Sequence, residues 1–279
     1  MIKLFGNIRY YNHENHIYPT KEGVKLIDIH SHILPGIDDG AKDLETSIRM
    51  LEMAENDKTK IMFATPHYYH GHYEVTYDEV VKNIQILKCK LKDKVINVEI
   101  YPGQEVFLDK FTVELYKSGI IKGLNDSKYL LLELPMENYS KKFIDIIYEL
   151  RLLGARPIIA HPERYGYILD NIYIINEFIQ EGCLLQINSG SIIGNFGKSV
   201  EKTAKKLIEN GACNFIASDA HTANRRCPGL VEAMKIVEKI NNSVAVEVQI
   251  NAELLLQNEN IKRDSNIVKV KRSFFDFLK

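Results

Sequence analysis

The chain has few of the features that mark specialised classes. Only four of its 279 residues are cysteine: Cys89, Cys183, Cys213 and Cys227. They are widely spaced and form no CxxC pair, which argues against a secreted disulfide scaffold and against a cysteine-built zinc site. Buried thiols in a reducing cytoplasm are expected instead. There is no basic surplus: 36 Lys and Arg face 37 Asp and Glu, for a net charge of -1. Broad nucleic-acid binding, which leaves a basic footprint, is therefore not expected. No apolar run reaches the ~18 residues of a membrane span. The N-terminus, MIKLFGNIRYYNHENHIYPT, lacks the continuous apolar stretch of a signal peptide. These absences predict a cytoplasmic protein without a transmembrane segment.

Hydrophobic residues make up 45% of the chain, enough for a sizeable core. Short β-branched runs recur, each followed by an amphipathic stretch. The expected strands are KLIDIH (25–30), KIMFAT (60–65), VINVEIY (95–101), YLLLEL (129–134), RPIIA (156–160), LLQIN (184–188) and NFIAS (214–218). Expected helices include 43–56, 140–154, 174–182 and 199–211, several ending at Gly154, Gly182 or Gly211, where glycine tolerates positive φ. Strands apolar on both faces that alternate with helices predict a parallel sheet covered by helices. Seven units fit a closed seven-stranded βα barrel, with a doubly wound open sheet as the alternative. The pattern predicts one domain over residues 25–260. Residues 1–24, polar and aromatic without clear period, form an N-terminal extension. Residues 261–279 form a basic, aromatic tail with Phe274, Phe275 and Phe277, expected to pack or remain a loose terminus.

In α/β barrels the site lies at the C-terminal strand ends. There the chain places His30 and His32 with Asp39 in the next loop, then His67, Glu105, Glu133, His161 with Arg164, the pair Asn188 and Ser189, and finally Asp219 and His221. Five imidazoles and four carboxylates on one rim are costly unless paired or bound to cations. Carboxylates so close would otherwise take up protons. Three divalent ions would outweigh the four negative charges, and the mixed donor set suits zinc, manganese or iron better than calcium or magnesium. Water on such ions ionises near neutral pH and becomes a nucleophile. Arg164 can fork two N–H groups toward a phosphate; an ion pair with Glu163 is its bland alternative. Arg225 or Arg226 could grip the same anion. His13 and His16 are expected at the surface, and His70 and His72 in a solvated loop.

DIHSH, DDG, ATPH, GQE, LLELP, IAHPERY and ASDAH together resemble the polymerase and histidinol phosphatase (PHP) superfamily. Their order and spacing most resemble its bacterial branch of manganese-dependent protein tyrosine phosphatases of capsular and exopolysaccharide biosynthesis. The resemblance spans about residues 25 to 260. It implies a distorted seven-stranded α/β barrel with three metal ions, held by His30, His32, Asp39, His67, Glu105, Glu133, His161, Asp219 and His221. It implies phosphate contacts from Arg164 and Arg226; the RRCPG stretch, with two arginines before Pro228, departs from the family pattern. It implies phosphotyrosine hydrolysis on the tyrosine-rich tail of a membrane-associated tyrosine autokinase.

The cysteine-dependent route to the same reaction needs an arginine six positions after the nucleophile. Those positions hold Val95, Ser189, Asp219 and Ala233. Two rival readings share the metals: a small-molecule phosphoester hydrolase such as a histidinol-phosphate phosphatase, and a non-catalytic regulator that binds a phosphoprotein.

Overall fold

The structure is a computed structural model. It describes residues 26–261 and 267–269, together with the backbone of 3–5, 8–13 and 16–19. The strands are β1 (Lys3–Phe5), β2 (Ile8–His13), β3 (His16–Pro19), β4 (Leu26–Asp28), β5 (Thr59–Ala64), β6 (His67–Tyr69), β7 (Tyr73–Glu74), β8 (Glu99–Pro102), β9 (Glu105–Phe107), β10 (Tyr129–Glu133), β11 (Arg156–Ala160), β12 (Leu184–Asn188) and β13 (Phe215–Ala217). The N-terminal extension, which lacked a legible period, contains an antiparallel sheet of β1, β2 and β3. The side chains of His13 and His16 and the aromatic tail with Phe274, Phe275 and Phe277 lie outside the described residues.

Beyond that extension the architecture is α/β with mainly parallel sheets. One sheet has the order β4-β5-β8; the other runs β13-β12-β11-β10-β9-β6-β7. Every pairing in these two sheets is parallel except the β6–β7 hairpin. All seven expected strands are present, with two differences. The third begins at Glu99 rather than Val95; Val95 and Asn97 before it are exposed and pair with no neighbouring strand. The second and third are each followed, after two residues, by a further short strand, β6 and β9. Gly103 lies in the second of these breaks. A Cβ there would stand 2.5 Å from Leu124 and 2.9 Å from Thr65.

Three helices feed the central strands through the same stop. After Lys142–Leu152, Gly154 (φ 92) donates to Arg151 O at 2.9 Å and Ala155 to Leu150 O at 3.1 Å. Gly182 and Gly211 repeat the pattern ahead of β12 and β13. These paired bonds satisfy the last helix carbonyls and turn the chain back into the sheet.

Period-two alternation divides each central strand between two cores. Leu130 and Leu132 join the cluster that includes Ile159, Leu185, Ile187 and Ile216, packed under the helices. Tyr129 and Leu131 join Ile158, Ala160, Leu184, Phe215 and Ala217 in a second cluster. Glu133 continues the Tyr129–Leu131 face, and Gln186 and Asn188 continue the Leu184 face. The second core thus gives way to polar groups at the C-terminal strand ends. Of the cysteines, Cys183 and Cys213 are buried as expected, Cys227 is half-buried and Cys89 is exposed. No helix among the described residues is long and apolar enough to cross a membrane.

Tyr165 ties two strand ends together. Its buried hydroxyl donates to Ala160 O at 2.8 Å and accepts from Leu134 N at 2.9 Å. Tyr165→Phe leaves both backbone groups without that partner, and a loss of about 1–3 kcal/mol in unfolding free energy is expected. Urea unfolding followed by circular dichroism measures it; an unchanged midpoint would show that the hydroxyl contributes nothing.

Candidate metal centre

The opening strand reaches the site through a buried tether. Asp28 accepts from Ser218 N at 2.9 Å, so β4 and the residues after β13 are held together. Three backbone contacts extend the tether: His32 N donates to Ala220 O at 2.8 Å, Asp219 N to His30 O at 2.9 Å, and Ser31 bridges Ala220. The 28–40 segment then folds over His32. A Cβ on Gly40 would stand 2.3 Å from His32 O, so only glycine permits this approach. Asp38 is thereby brought beside His32 and His67: its Oδ2 lies 2.7 Å from His32 Nδ1 and accepts from His67 N at 3.1 Å.

All nine side chains singled out in the sequence converge. Three groups have donor atoms within 4.8 Å of one another and could each hold a metal ion: His30, His32, Glu105 and Asp219; His32, Asp39, His67 and His221; and His67, Glu105 and Glu133. His161 completes the set, with Nε2 2.9 Å from Glu105 Oε1 and 3.6 Å from Glu133 Oε1. His67 serves two groups with different nitrogens. Its Nε2 lies 3.3 Å from Asp39, and its Nδ1 lies 3.2 Å from Glu105 and 3.7 Å from Glu133. His221 Nε2 also lies 3.3 Å from Asp39.

The hydrogen bonds behind the cluster determine where its lone pairs point. Asp219, an acceptor, takes Asn188 Nδ2 at 2.7 Å. Asn188 Oδ1 therefore accepts from Gln186 Nε2 at 2.8 Å, which turns Gln186 Oε1 toward His30 Nδ1 at 2.9 Å. In the neutral ring that nitrogen must carry the proton, and His30 Nε2 keeps a lone pair. Asp38 does the same for His32. The two Nε2 atoms consequently face each other at 3.2 Å, each also 3.2 Å from Glu105 Oε2. Asp219 Oδ1 stands 3.5 and 3.6 Å away. This oxygen is buried and makes no hydrogen bond, as are His161 Nδ1 and His221 Nε2. Four electron-pair donors converge with no hydrogen between them in the neutral tautomers. A cation fits the space; otherwise protons must be drawn in.

The ionisation equilibria carry the same imprint. Burial opposes charge on His30, but Glu105 and Asp219 outweigh it and push the imidazole up to about 9. For His67, burial is outweighed by Glu105, Asp39 and Glu133, and the value rises to about 10. Burial and then the neighbouring Glu105 charge lift Glu133 to about 7. His161 goes the other way, to about 4, because burial dominates. Without metal, protons thus take the place of the missing positive charge.

Two backbone positions at the site are strained. His161 (φ 32) and Asp219 (φ 51) are left-handed residues other than glycine. Such conformations cost energy and concentrate where side-chain direction matters. Both arginines expected at the rim meet at Asp219 Oδ2: Arg164 Nη1 at 3.0 Å and Arg226 Nη2 at 2.6 Å. Arg164 therefore pairs with Asp219, while Glu163 accepts from Asn188 N. Arg226, not Arg225, reaches the site. His70 and His72 are exposed; His70 pairs with Glu74 at 2.7 Å and His72 stacks on Tyr69. Sequence reasoning missed the supporting roles of Asp38 and Gln186. A glutamine inside the apolar run LLQIN was the available signal for the second.

The chain matches the model of the family described as "Capsular polysaccharide synthesis, CpsB/CapC" over residues 26–259. It is similar to the tyrosine-protein phosphatase YwqE of Bacillus subtilis, at 35% identity over 254 residues, covering 90% of this chain and all of the relative. The tyrosine-protein phosphatase CpsB of Streptococcus agalactiae is 32% identical over 246 residues, 85% of this chain and all of the relative. Among solved structures, a chain from the work on YwqE from Bacillus subtilis and CpsB from Streptococcus pneumoniae, described as unique metal-dependent tyrosine phosphatases, superposes with a TM-score of 0.84. That chain is 35% identical, and the match covers 88% of this chain and 100% of the other. A histidinol phosphate phosphatase from Lactococcus lactis shares the fold, with a TM-score of 0.51 at 13% identity over 80% of this chain and 94% of that one. With a family match across nearly the whole described region and relatives above 30% identity, the chain belongs to the CpsB/CapC family of capsular polysaccharide synthesis.

Proposed function

We propose that this chain is a metal-dependent phosphatase that hydrolyses phosphotyrosine on a protein. The facing lone pairs of His30, His32, Glu105 and Asp219 carry the metal part of this reading. The phosphotyrosine part is supported by the names of its relatives. The proposed ligands are His30, His32, Asp39, His67, Glu105, Glu133, His161, Asp219 and His221. They would share three divalent ions, with manganese the proposed metal on the family resemblance and the mixed nitrogen and oxygen donors. Nine donors among three ions leave coordination positions open, unlike a closed structural site.

The framework we propose is a distorted seven-stranded barrel within residues 25–260. Its staves would be β4, β5 continued by β6, β8 continued by β9, and β10 to β13. The hydrogen bonds between residues 30–32 and 219–220 support closure between first and last staves.

Bound divalent ions would ionise water at neutral pH and draw charge from the phosphate oxygens. The chain supplies the rest. Asp38 and Gln186 keep the imidazole lone pairs of His32 and His30 directed inward. Arg164 and Arg226, anchored on Asp219, present N–H groups to the oxygens that gain charge as the phosphoryl group transfers. Tyrosinate leaves without a dedicated acid, since its conjugate acid has a pKa of about 10. The substrate we propose is the tyrosine-rich tail of a membrane-associated tyrosine autokinase in capsular polysaccharide synthesis, dephosphorylated in the cytoplasm. The family's description supports the capsular polysaccharide part of this setting.

Four outcomes test this reading. Chelator treatment should abolish hydrolysis of a phosphotyrosine peptide, and added manganese should restore it; undiminished turnover in the stripped protein would refute the metal role. A strong preference for histidinol phosphate over the peptide would transfer the protein to the small-molecule reading. Arg164→Ala should keep its metal by elemental analysis but lose roughly 100-fold in kcat/KM; full turnover would show that Arg164 does not touch substrate. Metal affinity should fall between pH 8 and pH 6, because His30 and His67 hold protons in the metal-free protein and must release them to bind. Equilibrium dialysis at the two pH values checks the sign.

A further inference from the structure

Arg164 and Arg226 arrive from different segments, one from the turn Pro162–Arg164 after β11 and the other from the loop after Asp219. Each guanidinium ends a flexible stem, and a single carboxylate oxygen does not orient two such planes. Phe196 lies against both. Its ring centroid is 4.7 Å from Arg164 Cζ and 6.0 Å from Arg226 Cζ, within cation–π range. The ring belongs to none of the three hydrophobic clusters of the described residues. It is instead placed by a tight loop. Gly194 (φ 88) and Gly197 (φ 94) flank it, Asn195 N donates to Gly190 O at 2.9 Å, and Gly197 N donates to Gly194 O at 3.1 Å. A Cβ on Gly190 would stand 2.9 Å from the ring, so the glycine makes its seat.

We infer that Phe196 is a positioning residue for both arginines: an aromatic shelf that orients the guanidiniums beside the donor cluster through their faces. The chemistry explains why an aromatic serves here. A second carboxylate would orient the arginines too, but it would consume N–H donors and cancel charge. A ring face attracts the cation without accepting its in-plane hydrogen bonds. Donor capacity does remain, since Arg226 Nε is buried and has no hydrogen-bond partner. The inference rests on the phosphatase reading insofar as the arginines meet a phosphate.

The test compares Phe196→Leu, which keeps apolar bulk but removes the π face, with Phe196→Tyr, which keeps the face. Calorimetric binding of inorganic phosphate to the manganese-loaded protein is measured beside kcat/KM on a phosphotyrosine peptide. Phe196→Leu should weaken phosphate binding about tenfold and lower kcat/KM by a similar factor, while Phe196→Tyr stays within about twofold of the parent. In an Arg164→Ala background the Leu substitution should cost less, because one of its two clients is gone. Parent-like phosphate binding by Phe196→Leu, or an equal loss in Phe196→Tyr, would overturn the inference. A parent that binds phosphate without cleaving phosphotyrosine would refute the phosphatase reading, and the binding comparison would still decide the role of Phe196. A parent that binds no phosphate overturns both.

Discussion

Two imidazole nitrogens that face each other at 3.2 Å, with no proton between them when both rings are neutral, are the constraint around which this molecule is arranged. Each is forced into that state from behind, His30 by Gln186 and His32 by Asp38. Glu105 and Asp219 add lone pairs to the same space. Such an arrangement is unfavourable by itself, because burial removes the water that would otherwise separate like donors. A cation converts the repulsion into coordination. The raised values of His30 and His67 describe the same imbalance, met by protons instead.

Asp219 links the parts. One oxygen points into the donor cluster; the other receives Asn188, Arg164 and Arg226. The carboxylate therefore orients His30 through two amides and gathers the two guanidiniums at the rim. Its left-handed backbone places it there, at a cost the surrounding hydrogen bonds offset. The tether from Asp28 to Ser218 and the backbone bonds across 30–32 and 219–220 keep this hub beside β4. Strand geometry supplies the rest: alternation sends Leu131 into the apolar floor and Glu133 into the cluster above it.

Much of this was legible from residue order. The alternation of buried strands and helices, the glycine stops at 154, 182 and 211, and the nine cluster residues at strand ends all follow from local rules: hydrophobic period, the tolerance of glycine for positive φ, and the cost of crowding carboxylates. Three-dimensional closeness decided what those rules do not reach. Glu163 is next to Arg164 in sequence, but the arginine turns to Asp219, fifty-five residues on. Arg225 and Arg226 are equivalent as neighbours, and only the loop's course selects the second. The breaks that create β6 and β9, and the sheet formed by β1 to β3, left no period to read.

The sequence by itself determined which chemical groups are present and that strand ends deliver them together, because hydrophobic periodicity and residue chemistry act over a few residues at a time. Only the tertiary structure decided which nitrogen of each histidine faces inward, which arginine reaches the rim, and that Phe196 lies beneath both. Those choices depend on hydrogen bonds and ring contacts between segments far apart in the chain, where no local pattern carries the information.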